Sequence, residues 1–254
     1  RINTGGKNIT FAPPLSSSNG SLTKLGAGQL TLTSAANSYG GDTVVEAGTL
    51  RVDGQLNDAT DLTVNSGATY IANSNDVIGS IFGAGTIDIG ANTLEVKGGS
   101  FPGILLGDSL GSFVKSRNNS LTLLGNNSSF LGSTFIESGE VILGSEGALG
   151  VGGGSIQVDD GASLIVQSSA TTPGGFQLDK SVRLGTSNSS AGAAVFELAS
   201  GSAQLMNPLY VKGEALVRVS SNQAELLLNG TTGSPGQGGA AIKPKPGSCV
   251  LPSS

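Results

Sequence analysis

"GAGQLTLTSAANSYGGDTVVEAGTLRV", Gly26 to Val52, is the stretch whose reading decides the fold. Nearly every second residue is Gly, Thr, Ser or Ala, yet apolar residues return with a period of two, as in Leu30-x-Leu32 and Leu50-x-Val52. That period predicts short strands with one buried face. A second stretch, "NSLTLLGNNSSFLGSTFIESGEVIL" (Asn119 to Leu143), repeats the pattern. Ser21–Val52 and Ser112–Leu143 align without a gap at an offset of 91, the difference between 112 and 21. Identities include Ser21/Ser112, Lys24/Lys115, Leu30-Thr31-Leu32 with Leu121-Thr122-Leu123, Gly41/Gly132, Thr43/Thr134, Glu46/Glu137 and Gly48/Gly139. Tyr39/Phe130, Val45/Ile136, Leu50/Val141 and Val52/Leu143 are conservative matches. A shared register over this length implies a common structural unit.

The same rhythm runs outside the copies, in Asp61–Ile71, Gly85–Val96, Ser155–Val166 and Leu209–Val219, each a strand, a short turn containing Gly, and a strand. Glycine supplies positive φ at no steric cost, and Asn and Asp tolerate it, so these turns read as corners. Two all-β architectures suit many short strands: an antiparallel sandwich or barrel, and a solenoid of parallel strands. Internal repetition, corners of uniform composition and a 4 % aromatic content without Trp favour the solenoid. The interior is then expected to hold stacks of Val, Leu, Ile and Ala. At about 20 to 25 residues per turn the chain makes on the order of ten rungs, spaced by ~4.8 Å, in a rod roughly 50 Å long. Leu32 and Leu123 point inward on this phase, and Thr31 outward. Residues 1–230 read as the rod; 231–254, with Pro235, Pro244, Pro246 and Pro252, read as a cap or linker, because Pro cannot donate to a ladder.

Composition narrows the function. The chain has 254 residues, 12 % of them charged, 41 Gly and a net charge of -5 with scattered basic residues, which leaves no footprint for a nucleic-acid backbone. No apolar run approaches the roughly 18 residues of a membrane helix, so membrane insertion of this segment is not expected. The opening "RINTGGKNITFAPP" does not read as a signal peptide, and any leader is expected to precede it. Cys249 is the single cysteine and cannot close an intrachain disulfide.

The series Gly26, Gly28, Leu30, Thr31, Leu32, Asn37, Tyr39, Gly41, Thr43, Val45, Gly48, Thr49, Leu50 and Val52 resembles the autotransporter-associated β-strand repeat of passenger regions in type V secretion. The second copy departs from it, with Asn119 where Gly28 stands, Ser128 where Asn37 stands and Leu131 where Gly40 stands. The resemblance implies a right-handed parallel β-helix, displayed at the bacterial cell surface, in a family that commonly supplies adhesins, aggregation factors or scaffolds. It carries no catalytic residues, and it implies as partners host or matrix glycans and proteins, or sister molecules.

Few residues of the chain offer catalytic chemistry. Histidine is absent, which removes the usual nucleophile machines and zinc sites. Asp159-Asp160 could supply half of a glycosidase carboxylate pair, but a corner role accepting backbone N–H groups fits better. Glu46 and Glu137, at matched positions, read as outward solvated carboxylates. "GVGGGS" (Gly150–Ser155) has the glycine of a phosphate loop but no helix to follow it. Asn8, Asn19, Asn118, Asn126, Asn127, Asn188 and Asn229 open N-x-[ST] triplets. The expected function is therefore a non-catalytic surface stalk or adhesin, without catalytic residues, metal or cofactor. A filament or coat subunit is one alternative. Another is a polysaccharide lyase or hydrolase using Lys180, Arg183, Lys212 or Arg218 as its base.

Overall fold

In the computed structural model, residues 1–167, 175–186, 192–212, 215–220, 226–228, 240–242 and 249–251 are described. Among them there is no helix. Strands stack in parallel register into the columns of a β-solenoid. One column, the first face, contains eleven strands: Ile2–Asn3, Leu22–Leu25, Thr43–Val45, Leu62–Val64, the second halves of Asp76–Phe82 and Thr93–Phe101, then Ser120–Leu123, Glu140–Leu143, Ser163–Gln167, Ala194–Ser200 and Ala215–Val219. The second face runs from Ile9–Phe11 through Gln29–Leu32, Thr49–Val52, Thr69–Ala72 and Thr86–Asp88 to Ile104–Leu106. The third begins with the first halves of Asp76–Phe82 and Thr93–Phe101 and continues through Ser112–Lys115, Ser133–Ile136, Ile156–Val158 and Val182–Leu184 to Leu209–Val211.

Partners on the first face lie from 18 residues apart (Ile81 to Gly99) to 23 (Val141 to Leu164), with one turn of 32 (Leu164 to Phe196). Each turn roofs the last, so the Gly, Thr and Ser of the opening stretch bond to the next turn of their own chain. Two pairings are antiparallel: Cys249–Leu251 on Ala215–Val219, and Ala240–Ile242 on Leu226–Leu228. The expected boundary at 230/231 and most of the Pro/Gly-rich stretch fall outside the described residues.

Each repeat copy pairs with itself. Leu22–Leu25 lies on Thr43–Val45 and Gln29–Leu32 on Thr49–Val52; Ser112–Lys115 lies on Ser133–Ile136 and Ser120–Leu123 on Glu140–Leu143. The unit is thus two rungs closed by contacts about 20 residues apart, local enough to close at low entropic cost. The copies sit on different faces. The first runs from face one to face two and the second from face three to face one, so 91 residues span four turns and two further faces. Two long strands, Asp76–Phe82 and Thr93–Phe101, cross from face three to face one without a break and set up this shift. Thr93–Phe101 turns at Gly99, with φ of +121°, where a Cβ would lie 2.3 Å from the Ile81 carbonyl oxygen.

The inward phase is the expected one: Leu32 and Leu123 are 1 % and 0 % exposed. Thr31 points outward but is covered to 8 % exposure, where the Gln29 amide donates to its hydroxyl at 3.0 Å. The interior is richer than stacks of Val, Leu, Ile and Ala. Phe101, Phe113, Phe130, Phe176 and Phe196 are buried in it, with Tyr39, Tyr70, Lys24, Lys115 and Lys180.

Candidate functional site

Lys24 and Lys115 are both fully buried, and they do the same work in each copy. Lys24 Nζ donates to the carbonyls of Leu25 (3.1 Å), Gly26 (2.8 Å) and Ala47 (2.9 Å). Lys115 Nζ donates to those of Ser116 (2.8 Å), Arg117 (2.7 Å) and Ser138 (3.0 Å), the matched positions. Two acceptors lie in the corner of the lysine's own rung and one in the corner of the next, so each ammonium ties two turns together. Burial pushes Lys24 below its usual pKa and Lys115 down to about 8. Lys180 plays a related part: it spans to the carbonyls of Phe130 (3.2 Å) and Gly132, with its ammonium 4.5 Å from the Phe130 ring centre. Burial lowers its pKa to about 8.

The long loops carry the second matched feature. Asn37 accepts from the Leu15 N–H at 2.9 Å and donates to the carbonyls of Ser34 and Gln55. In the second copy this role belongs to Asn127, which accepts from the Leu105 N–H at 2.7 Å and donates to Ala148, and not to Ser128 as the ungapped alignment implies. The loop has slipped by one residue relative to the strands. Asn127 is fully buried, which removes it from the N-x-[ST] triplets open to a glycan.

An interior hydroxyl cluster differs between copies. In the first, Tyr39 Oη and Thr43 Oγ1 are 2.5 Å apart, and Thr43 reaches Thr60 Oγ1 at 3.2 Å. In the second copy Phe130 replaces Tyr39, and Thr134, the counterpart of Thr43, has a buried hydroxyl without a hydrogen-bond partner among the described residues. Thr134→Val is therefore expected to stabilise the fold by about 1 to 2 kcal/mol, while Thr43→Val costs about 1 kcal/mol. Denaturant midpoints for the pair should move in opposite directions.

Near that cluster, Asp76 is 3 % exposed and accepts from Leu56 N–H, from Val77 N–H at 3.0 Å and from the Tyr70 hydroxyl at 3.2 Å. Burial raises its pKa to about 6 against its hydrogen bonds, and pushes Tyr70 well above its usual value. A raised acid holds its proton in the folded state after the unfolded chain has released it. Its contribution to stability therefore falls as pH rises from about 4 to about 6, by roughly 3 kcal/mol at about 1.4 kcal/mol per unit. Asp76→Asn is expected to flatten the parent's decline, read from urea unfolding at a series of pH values across that window.

Of the enzyme candidates, Arg183 and Lys212 lie on successive rungs at face three, and the other two lie elsewhere. Lys180 is inside the rod. Arg183 is on face three, with its guanidinium 5.5 Å from the Tyr210 ring centre. Arg218 is on face one, ion-paired with Glu197 at 3.2 Å, and Lys212 is exposed after Leu209–Val211. Asp160 accepts from the Thr186 hydroxyl at 3.0 Å and from its N–H at 3.4 Å across one rung, the corner role expected of it. Asp159 has its pKa raised, first by burial. Gly150–Ser155 lead into the strand Ile156–Val158. Cys249 begins the antiparallel strand Cys249–Leu251.

Glu46 and Glu137 both point outward, beside inward Val45 and Ile136. Their surroundings differ. Glu46 pairs with Arg1 at 3.2 Å. Glu137 lines an open cleft of about 510 Å³ with Glu95, Ser116, Arg117, Asn118 and Ser138.

Against known protein families, residues 22–52 and 115–143 match the passenger-associated-transport-repeat, about a quarter of the chain and the same two units that pair with themselves in the fold. Searches of curated proteins and of solved structures return no significant match. The two repeats are consistent with the passenger of an autotransporter.

Proposed function

From a rod that carries two passenger-associated-transport repeats, we infer a non-catalytic segment of a secreted passenger, displayed at the bacterial cell surface as a stalk that presents a binding surface. The observation that carries this reading is the division of labour between inside and outside. The interior is committed from rung to rung to apolar ladders, with carbonyl-locking lysines at the corners, and the outer faces present Thr, Ser, Asn and scattered charge, interrupted by exposed apolar residues such as Phe82, Phe135 and Tyr210. Such a surface suits weak contacts multiplied along a rod, with host or matrix glycans and proteins or with sister molecules. The candidate bases divide between the interior, face one and face three, which supports a non-catalytic role.

The test is deletion of this segment from the displayed parent protein, followed by cell adhesion and aggregation assays, with surface exposure verified by protease shaving. Adhesion or aggregation is expected to drop while display persists. Unchanged adhesion and aggregation would sink the reading, as would turnover of a uronic-acid polymer by the purified chain.

A further inference from the structure

The two copies provide an internal comparison. Arg1 immediately precedes Ile2, which pairs with Lys24; Glu95 immediately precedes Val96, which pairs with Lys115. Arg1 and Glu95 therefore hold equivalent places one rung before their copies. In the first copy that place supplies a guanidinium to Glu46, at 3.2 Å. In the second it supplies another carboxylate, and the Glu137 side chain forms no hydrogen bond or ion pair among the described residues. The corner between them has changed in the same sense: Leu25, Gly26, Ala27 and Ala47 become Ser116, Arg117, Asn118 and Ser138. Arg117 takes the left-handed conformation of Gly26, φ +68° against +79°, and is the one non-glycine residue with positive φ among the described residues.

We propose that this cleft binds an amino-bearing saccharide, with its ammonium against Glu95 and Glu137 and its hydroxyls on Arg117, Asn118 and Ser138. The proposal rests on the reading of the rod as a displayed binding surface and names one ligand for it. Glu46 shows what the matched carboxylate takes when a cation is supplied by the chain itself. Burial, then the charges of Glu95 and Asp159, raise the pKa of Glu137, as negative charge without a counterion does. The remaining groups have spare capacity of both kinds. Ser116 donates to Glu95 at 2.6 Å and Ser138 to Asn118 Oδ1 at 2.5 Å, which leaves hydroxyl lone pairs and the Asn118 NH₂ without a partner among the described residues. The Arg117 guanidinium has no partner among the described residues. A sugar hydroxyl donates and accepts at once and can use both. None of the six lining residues is apolar, so the cleft lacks the hydrophobic anchor of a protein interface. Its volume of about 510 Å³ lies within the range of small-ligand sites, about 300 to 1,000 Å³.

The experiment is calorimetric titration of the 254-residue chain with a deacetylated glucosamine tetramer, its N-acetylated counterpart, a galacturonate tetramer and tetralysine. The deacetylated tetramer is expected to bind about tenfold tighter than the acetylated one, the effect of one hydrogen bond to a charged group. Glu137→Gln should weaken it by about tenfold and Glu46→Gln, which removes the same charge elsewhere, should not. Arg117→Gly should weaken binding while the melting temperature holds or rises, because Gly accepts this φ freely; a merely structural Arg117 would not separate the two readouts. The cleft proposal is overturned if Glu137→Gln and Glu46→Gln behave alike, if acetylation makes no difference, or if tetralysine binds best, which would indicate a basic protein partner. Loss of adhesion on deleting the segment, together with no saccharide binding, rejects the cleft and leaves the stalk reading standing; intact adhesion with cleft-dependent binding does the reverse.

Discussion

Leu123→Asp is expected to leave the rod unfolded. Leu123 lies in an interior ladder with Phe101 before it and Leu143, Val166 and Leu198 after it, and is 0 % exposed. Losing its burial costs about 1.5 to 3 kcal/mol, and a carboxylate between two rungs adds several more unless it takes a proton. Against a total stability of about 5 to 15 kcal/mol, few molecules remain folded at neutral pH. Leu32→Asp, between Phe11 and Val52, should behave the same way. Outward Thr122→Asp, in the same strand as Leu123, should change stability by less than about 1 kcal/mol. Thr31→Asp should also be mild, since Arg51 faces it across the ladder. Thermal melts followed by circular dichroism check the contrast, and equal behaviour of inward and outward substitutions would show the phase to be wrong.

Lys115→Met is expected to cost about 3 kcal/mol, the scale of leaving buried carbonyls without a charged donor. Methionine fills the aliphatic volume but leaves the carbonyls of Ser116, Arg117 and Ser138 without their donor. These carbonyls belong to two successive corners, so the damage should localise there. Hydrogen exchange is expected to rise first around residues 116–119 and 138–139, ahead of the neighbouring strands. Lys24→Met should open the matched corner of the first copy. A variant as stable as the parent would show that water satisfies these carbonyls and that the ammonium is not a structural tie.

Much of this was legible in the chain itself. The period of two in Leu30-x-Leu32 and Val141-x-Leu143, glycine at the corners and the shared register of the copies are local properties. They suffice for stacked parallel strands, because strand phase and turn chemistry depend on neighbouring residues only. The lysines carried a signal too: Leu22-x-Lys24, Phe113-x-Lys115 and Lys180-x-Val182 keep the inward phase. It is masked by the expectation that lysine seeks water, which holds until a ring of corner carbonyls substitutes for it.

What the sequence by itself determined was the coil: its parallel strands, its inward and outward faces and its repeated unit. Only the tertiary structure decided which turn lies on which. Stacking depends on the loops between strands, whose lengths vary enough to leave partners on the first face from 18 to 32 residues apart. That is why the second copy stands on another face and why Asn127 rather than Ser128 fills the loop. It is also why Glu137 faces Glu95 where Glu46 meets an arginine.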